Sequence, residues 1–148
     1  MRVGIFGGSF DPVHAGHVGV VKRAVEDKKL EKVYVIPAAC SPFKTNRRYM
    51  FSDAERLEKV RTAFAGVPQA VVDDRELKKG GTSFAIDTVK EIAAENPGAE
   101  LYYITGSDCV EGLPRWKNYD ELIKLCTFIA YPRTPESSTQ IRNQLLSL

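Results

Sequence analysis

Short β-branched apolar runs alternate with helix-spaced stretches from one end of this 148-residue chain to the other. Runs at 2–6, 32–37, 70–72, 101–105 and 127–131 read as strands. Residues 17–28 carry Val18, Val21, Ala24 and Val25 at helical spacing, and 52–65, 83–95, 119–125 and 137–146 read as further helices. Ser52 with Glu55 three residues on makes a capping box, and Asn96-Pro97-Gly98 ends the helix before it. Strands that alternate with helices pair in parallel through right-handed crossovers. The expectation is an α/β fold, a single domain over 1–148 built on a doubly wound parallel sheet of about five strands. Ligands of such sheets bind beyond the carboxyl ends of the strands, near the point where strand order reverses. The chemistry-bearing residues fall at such ends: 7–17 after the first strand, 41–44 after the second, 106–108 after the fourth and 133–142 after the fifth.

The bulk properties narrow the partners. A net charge of +2 is too mild to argue for duplex nucleic acid or an anionic membrane, yet it suits a small phosphorylated ligand. No apolar run approaches a membrane span, and the N-terminus enters a strand without a signal-peptide pattern. Cys40, Cys109 and Cys126 are odd in number and show no metal-like spacing, so reduced thiols in a cytoplasmic protein are expected. The polar stretch 45–49 is the most loop-like segment. A homo-oligomer is compatible with all of this.

The most informative run is Gly7-Gly8-Ser9-Phe10-Asp11-Pro12-Val13-His14-Ala15-Gly16-His17, which holds both histidines of the chain. Two glycines let the backbone turn tightly and approach a ligand closely. At the start of a helix, imidazoles three residues apart share one face. Together with the helix N-terminus they make a phosphate site. The plainer alternative is a strand-to-helix turn capped by Asp11 with exposed histidines. Two histidines alone make a poor metal site, and no third ligand stands nearby.

This run resembles the HxGH signature of the nucleotidylyltransferase superfamily, in the GGSFDPxHxGH form of bacterial nicotinate mononucleotide adenylyltransferases. Five other segments resemble the same group or its superfamily. Ser41-Pro42-Phe43-Lys44 stands where Pro-Pro-His-Lys is usual, so lysine is retained and Phe43 replaces a histidine. The stretch from Gly80 to Thr88 is similar to G-x-S-Y-T-x-D-T, with Ala85 in place of threonine. Gly106-Ser107-Asp108 resembles G-x-D, and Trp116 to Leu122 resembles W-x-x-W/Y-x-E-L. Ser137-Ser138-Thr139-Gln140-Ile141-Arg142 resembles the S-S-T-x-x-R that opens the last helix of the superfamily.

The resemblance implies a Rossmann-like fold and a division of labour. His14, His17, Lys44 and Arg133 form the catalytic set. Gly7, Gly8, Ser9, Phe10, His14, His17, Gly106, Asp108, Arg133, Ser137, Ser138, Thr139 and Arg142 bind the nucleotide. Asp11, Lys44, Ser83, Phe84, Ala85 and Trp116 contact the acceptor, with Trp116 a platform for its pyridine ring. The implied reaction transfers AMP from Mg-ATP to nicotinate mononucleotide, with Mg²⁺ held mainly by the nucleotide phosphates. One feature departs from that group: only Thr134, Pro135 and Glu136 separate Arg133 from the serine motif, where a long insert is usual. The short join is similar to minimal cytidylyltransferases of the glycerol-3-phosphate type. A related enzyme using CTP or another phosphorylated acceptor is therefore one alternative, and an inactive nucleotide-binding module is another.

Overall fold

The computed structural model describes residues 1–39, 50–81 and 84–132, the side chains of 107–109 excepted. Five parallel strands run through them: β1 (Arg2–Gly8), β2 (Lys32–Pro37), β3 (Ala70–Val72), β4 (Glu100–Gly106) and β5 (Thr127–Tyr131). Their order across the sheet is β3-β2-β1-β4-β5, so the chain winds outward from β1 in one direction, then returns and winds in the other. Helices α1 (Ala15–Lys28), α2 (Asp53–Phe64), α3 (Arg75–Lys79), α4 (Ala85–Glu95) and α5 (Tyr119–Leu125) connect them, with a 3₁₀ segment at Ser107–Arg115. The doubly wound α/β architecture expected from the alternation is the one observed.

Both faces of the sheet are covered, and the period-two geometry of the strands sorts side chains between them. In β2, Val33 and Val35 join Val21, Ala24, Val60 and Phe64 in the core beneath α1 and α2. Tyr34 and Ile36 point the other way, to Ile86, Val89, Ile92 and Leu122 beneath α4 and α5. The capping box at α2 is present: Ser52 Oγ accepts from Glu55 N, and Glu55 Oε1 accepts from Ser52 N, each at 3.2 Å. Cys126 is a free, buried thiol, and burial pushes its pKa up to about 12, so it packs as a small inert hydrophobe.

The boundaries differ from expectation in informative places. Helix α1 starts at Ala15 rather than 17, because His14 takes the cap position. Helix α4 starts at Ala85 with Phe84 at its cap position rather than at 83. The segments α3 and 107–115 were not expected, the first being a five-residue, mostly polar stretch and the second interrupted by Gly112 and Pro114. The expected helix at 137–146 and the loop at 45–49 lie outside the described residues.

Candidate active site

The sheet opens where its order reverses. Pairing of β1 with β4 stops at Ile5↔Tyr103, although both strands continue for three more residues. Over those residues β1 stays bonded to β2 as far as Gly8↔Pro37, and β4 to β5 as far as Gly106↔Tyr131. The carboxyl ends of the two central strands therefore part between Gly8 and Gly106. This is the crevice in which doubly wound sheets bind ligands.

Gly7 and Gly8 do not make the turn that their sequence suggests. They extend β1, and at Gly7 the lack of a side chain allows a close approach: a Cβ there would lie 2.9 Å from the Tyr103 hydroxyl, which would have to shift. The turn falls instead on Phe10, a non-glycine residue at φ +46°. Left-handed backbone costs such a residue roughly 1–2 kcal/mol, so surrounding contacts must hold it. The Phe10 ring is buried, edge-on to Phe6 at 5.5 Å and to His17 at 5.0 Å between centroids.

The histidine pair closes the head of α1. His14 Nδ1 accepts from Gly16 N, and His17 Nδ1 accepts from His14 N, both at 3.0 Å. An imidazole that accepts at Nδ1 carries its proton on Nε2, so each ring is fixed as an Nε2–H donor. The rings stack with centroids 3.8 Å apart and planes 27° from parallel. Burial, and then the neighbouring His14, lower the His17 pKa to about 3. His17 is therefore neutral at physiological pH and donates without bringing a charge. Such preorganised N–H donors suit charge that develops on oxygen during a reaction.

Asp11 has a different position from the helix cap of the plainer reading. It is buried, and its oxygens accept from Met50 N at 2.8 Å and Phe51 N at 2.9 Å, just before α2. Arg56, which sequence reasoning missed, is also buried. Its Nη1 donates to Ser9 O at 2.8 Å and Ala38 O at 2.7 Å, and its Nη2 pairs with Asp53. The one signal that would have found it is spacing: Arg56, Val60 and Phe64 form the buried stripe of α2.

On the other side of the crevice, Trp116 packs edge-on against Tyr103 and Phe128 at 5.5 and 5.8 Å. It also borders an open cleft of about 620 Å³ shared with Pro114, Asn118, Tyr119, Asp120 and Glu121. Of the two carboxylates at that cleft, Glu121 is paired with the Lys90 ammonium at 2.8 Å. Phe84 and Ala85 begin α4 without a side-chain cap among the described residues, and the Lys117 ammonium lies 4.5 Å from the Phe84 ring centroid. Uncapped N–H groups at a helix start suit a carboxylate. Thr88 is turned inward, its hydroxyl donating to Glu76 at 2.7 Å. The structure thus gathers Gly7, Gly8, Ser9, Phe10, Asp11, His14 and His17 at the end of β1. Lys44, Ser83, Arg133, Ser137, Ser138, Thr139, Arg142 and the Asp108 side chain lie outside the described residues.

Known proteins resemble this chain along most of its length. The cytidylyltransferase-like family model matches residues 5–145. A Listeria monocytogenes protein named probable nicotinate-nucleotide adenylyltransferase is 34% identical over 97% of this chain and 86% of its own length. A Gemmatimonas aurantiaca protein of the same name is 41% identical over 90% of this chain and 62% of its own. Among solved structures, a Vibrio parahaemolyticus protein assigned as a nicotinate-nucleotide adenylyltransferase superposes with a TM-score of 0.82 at 21% identity, over 99% of this chain and 88% of its own. The Plasmodium falciparum nicotinic acid mononucleotide adenylyltransferase, complexed with NaAD, gives 0.73 at 16% identity, over 96% and 82%. At those identities the structures establish the shared fold, and the sequence matches establish kinship: the chain belongs to the cytidylyltransferase-like family, and within it to the group of nicotinate-nucleotide adenylyltransferases.

Proposed function

We propose that this protein transfers AMP from Mg-ATP to nicotinate mononucleotide, giving deamido-NAD and pyrophosphate. The phosphate oxygen of the mononucleotide attacks the α-phosphorus of ATP in line. A new P–O bond forms, the bond to the β-phosphate bridging oxygen breaks, and pyrophosphate leaves. Such a displacement rests on positioning and on donors aimed at the transferring group. The observation that carries the reading is the His14–His17 pair, fixed as two Nε2–H donors where β1 and β4 part.

In this reading His14 and His17 donate to the transferring phosphoryl oxygens. Main chain of Gly7 to Phe10 lies against the nucleotide, with Gly106 and Asp108 across the crevice. Lys44, Arg133, Ser137, Ser138, Thr139 and Arg142 hold phosphates, and Ser83 to Ala85 with Trp116 take the pyridine carboxylate and ring. Mg²⁺ arrives on the triphosphate as part of the substrate. The donor set agrees with that: both Nδ1 atoms and the Asp11 oxygens already accept backbone N–H groups. No helix among the described residues is long and apolar enough to cross a membrane, and the buried free Cys126 suits a reducing cytoplasm.

The test is a panel of ATP and CTP against nicotinate mononucleotide, its amide, and phosphorylated alcohols, scored by pyrophosphate release. Turnover with ATP and the acid mononucleotide is expected, and H17A should reduce kcat about 10²–10³-fold, the usual effect of losing one preorganised donor. Turnover confined to CTP, or none with any pair, overturns the assignment.

A further inference from the structure

We propose that Arg56 is a positioning residue for nucleotidyl transfer, acting through the Ser9–Phe10 peptide to hold the Phe10 ring against His17. The geometry forms a continuous chain of contacts. Arg56 is fully buried in the second turn of α2, at a stripe position where an aliphatic side chain packs at lower cost than a guanidinium. Its planar fork instead bridges two main-chain carbonyls, Ser9 O beyond β1 and Ala38 O beyond β2, while Asp53 balances its charge. Those two loops are themselves joined, Ala38 N donating to Gly8 O at 2.8 Å.

Ser9 O belongs to the peptide that sets one side of the Phe10 φ torsion. Pinning that oxygen is what a phenylalanine at φ +46° requires, because the torsion otherwise relaxes toward negative values. The retained torsion delivers the ring edge-on to His17, at 5.0 Å and 82°. His17 in turn accepts from His14 N, so the same contact sets the orientation of the pair. Arg56 touches no reacting atom in this scheme. Its charge can be kept by lysine, but a single ammonium cannot reproduce a flat fork that bridges two carbonyls and a carboxylate.

The proposal rests on the adenylyl-transfer reading for its kinetic arm alone. The chain has only two histidines, so long-range ¹H–¹⁵N spectra of the imidazoles contain two ring systems and report their tautomers and environments directly. In R56K the His17 ring resonances should move, and kcat should fall about 10–100-fold, the scale of an ångström-level misplacement. KM for ATP and for nicotinate mononucleotide should change by less than about threefold, as for an interaction made in the transition state. D53N provides a second, milder variant, since Asp53 is mostly exposed and Arg56 keeps both carbonyl partners; it should show the same pattern at about 3–10-fold in kcat. If R56K does not fold, D53N decides. Unmoved imidazole resonances with wild-type kcat in either folded variant, or a loss expressed wholly as raised KM, overturns the proposal. A wild-type protein inactive on the panel above refutes the function and leaves the imidazole comparison standing.

Discussion

Replacing Asp11 by asparagine separates two roles for a residue that the family resemblance assigns to acceptor binding. In the structure its carboxylate is buried and braces the start of α2, accepting from Met50 N and Phe51 N at 2.8 and 2.9 Å. Hydrogen bonds to a charged group contribute about 1.5–3 kcal/mol each. Asparagine keeps one acceptor but turns its amide NH₂ toward the other backbone N–H, leaving donors opposed in a buried site. The cost should be about 2–4 kcal/mol, out of the roughly 5–15 kcal/mol that stabilises a domain of this kind. For a domain of this length that lowers Tm by roughly 4–16 °C. With an m-value near 2 kcal/mol/M, the urea midpoint falls by about 1–2 M. Urea unfolding followed by the fluorescence of Trp116 reads this directly. Assayed at about 15 °C, where the folded form persists, KM for either substrate should change by less than about threefold. A midpoint within about 0.3 M of wild type, accompanied by a raised KM for the acceptor, refutes the brace and returns Asp11 to the substrate.

Three further outcomes follow from named contacts. The folded pKa of His17 near 3 lies below the ordinary 6.5, so the unfolded chain takes up its proton first. The associated stability is complete above pH 6.5 and is lost as pH falls toward 3, with a slope of up to about 1.4 kcal/mol per pH unit; urea titrations of wild type and H17N should differ by that slope, and parallel profiles would show that the ring is not buried. T88V removes the hydroxyl that donates to buried Glu76 and should cost about 1.5–3 kcal/mol in urea unfolding, whereas a neutral effect would mean that α3 is not tied to α4 this way. Trp116 is the only tryptophan, so its emission should shift or quench on saturation with nicotinate mononucleotide, and an unchanged spectrum with bound ligand would exclude it as the pyridine platform.

What the amino-acid order reveals here depends on whether the cause is local. The strands were legible because central parallel strands are buried on both faces and read as unbroken apolar runs, as Val33 to Ile36 do. The α2 capping box was legible because both partners lie within one turn. At Gly7 and Gly8 a tight turn and a close approach read equally well, and the atom that makes the close approach at Gly7, the Tyr103 hydroxyl, lies far along the chain. Arg56 was hidden for a related reason: among Asp53, Glu55, Glu58 and Lys59 an arginine looks like part of a solvated face. Its stripe with Val60 and Phe64 was visible, but its carbonyl partners were not. Short α3 is held by tertiary ties, Arg75 to Glu95 and Glu76 to Thr88, beside the local pair of Arg75 with Asp73.

The same distinction explains how the site is built. The histidine tautomers are a local matter: His14 and His17 fix each other's protons through the cap of α1, and any chain with this spacing at a helix start can do so. Their placement is not local. The crevice exists because β1 and β4 stop pairing at Ile5↔Tyr103, and the loop that leads into the histidines is joined to α2 and the residues just before it through two buried charged groups, one on each side. Asp11 holds the beginning of that helix, and Arg56 reaches back from its second turn to Ser9. Buried charges are poor stabilisers compared with apolar packing, so their presence in a brace is better explained by direction than by strength. A guanidinium fork and a carboxylate each specify where main-chain atoms must stand, which an aliphatic side chain cannot do. For a reaction that depends on donors already in place when charge develops, that directional precision bears on rate.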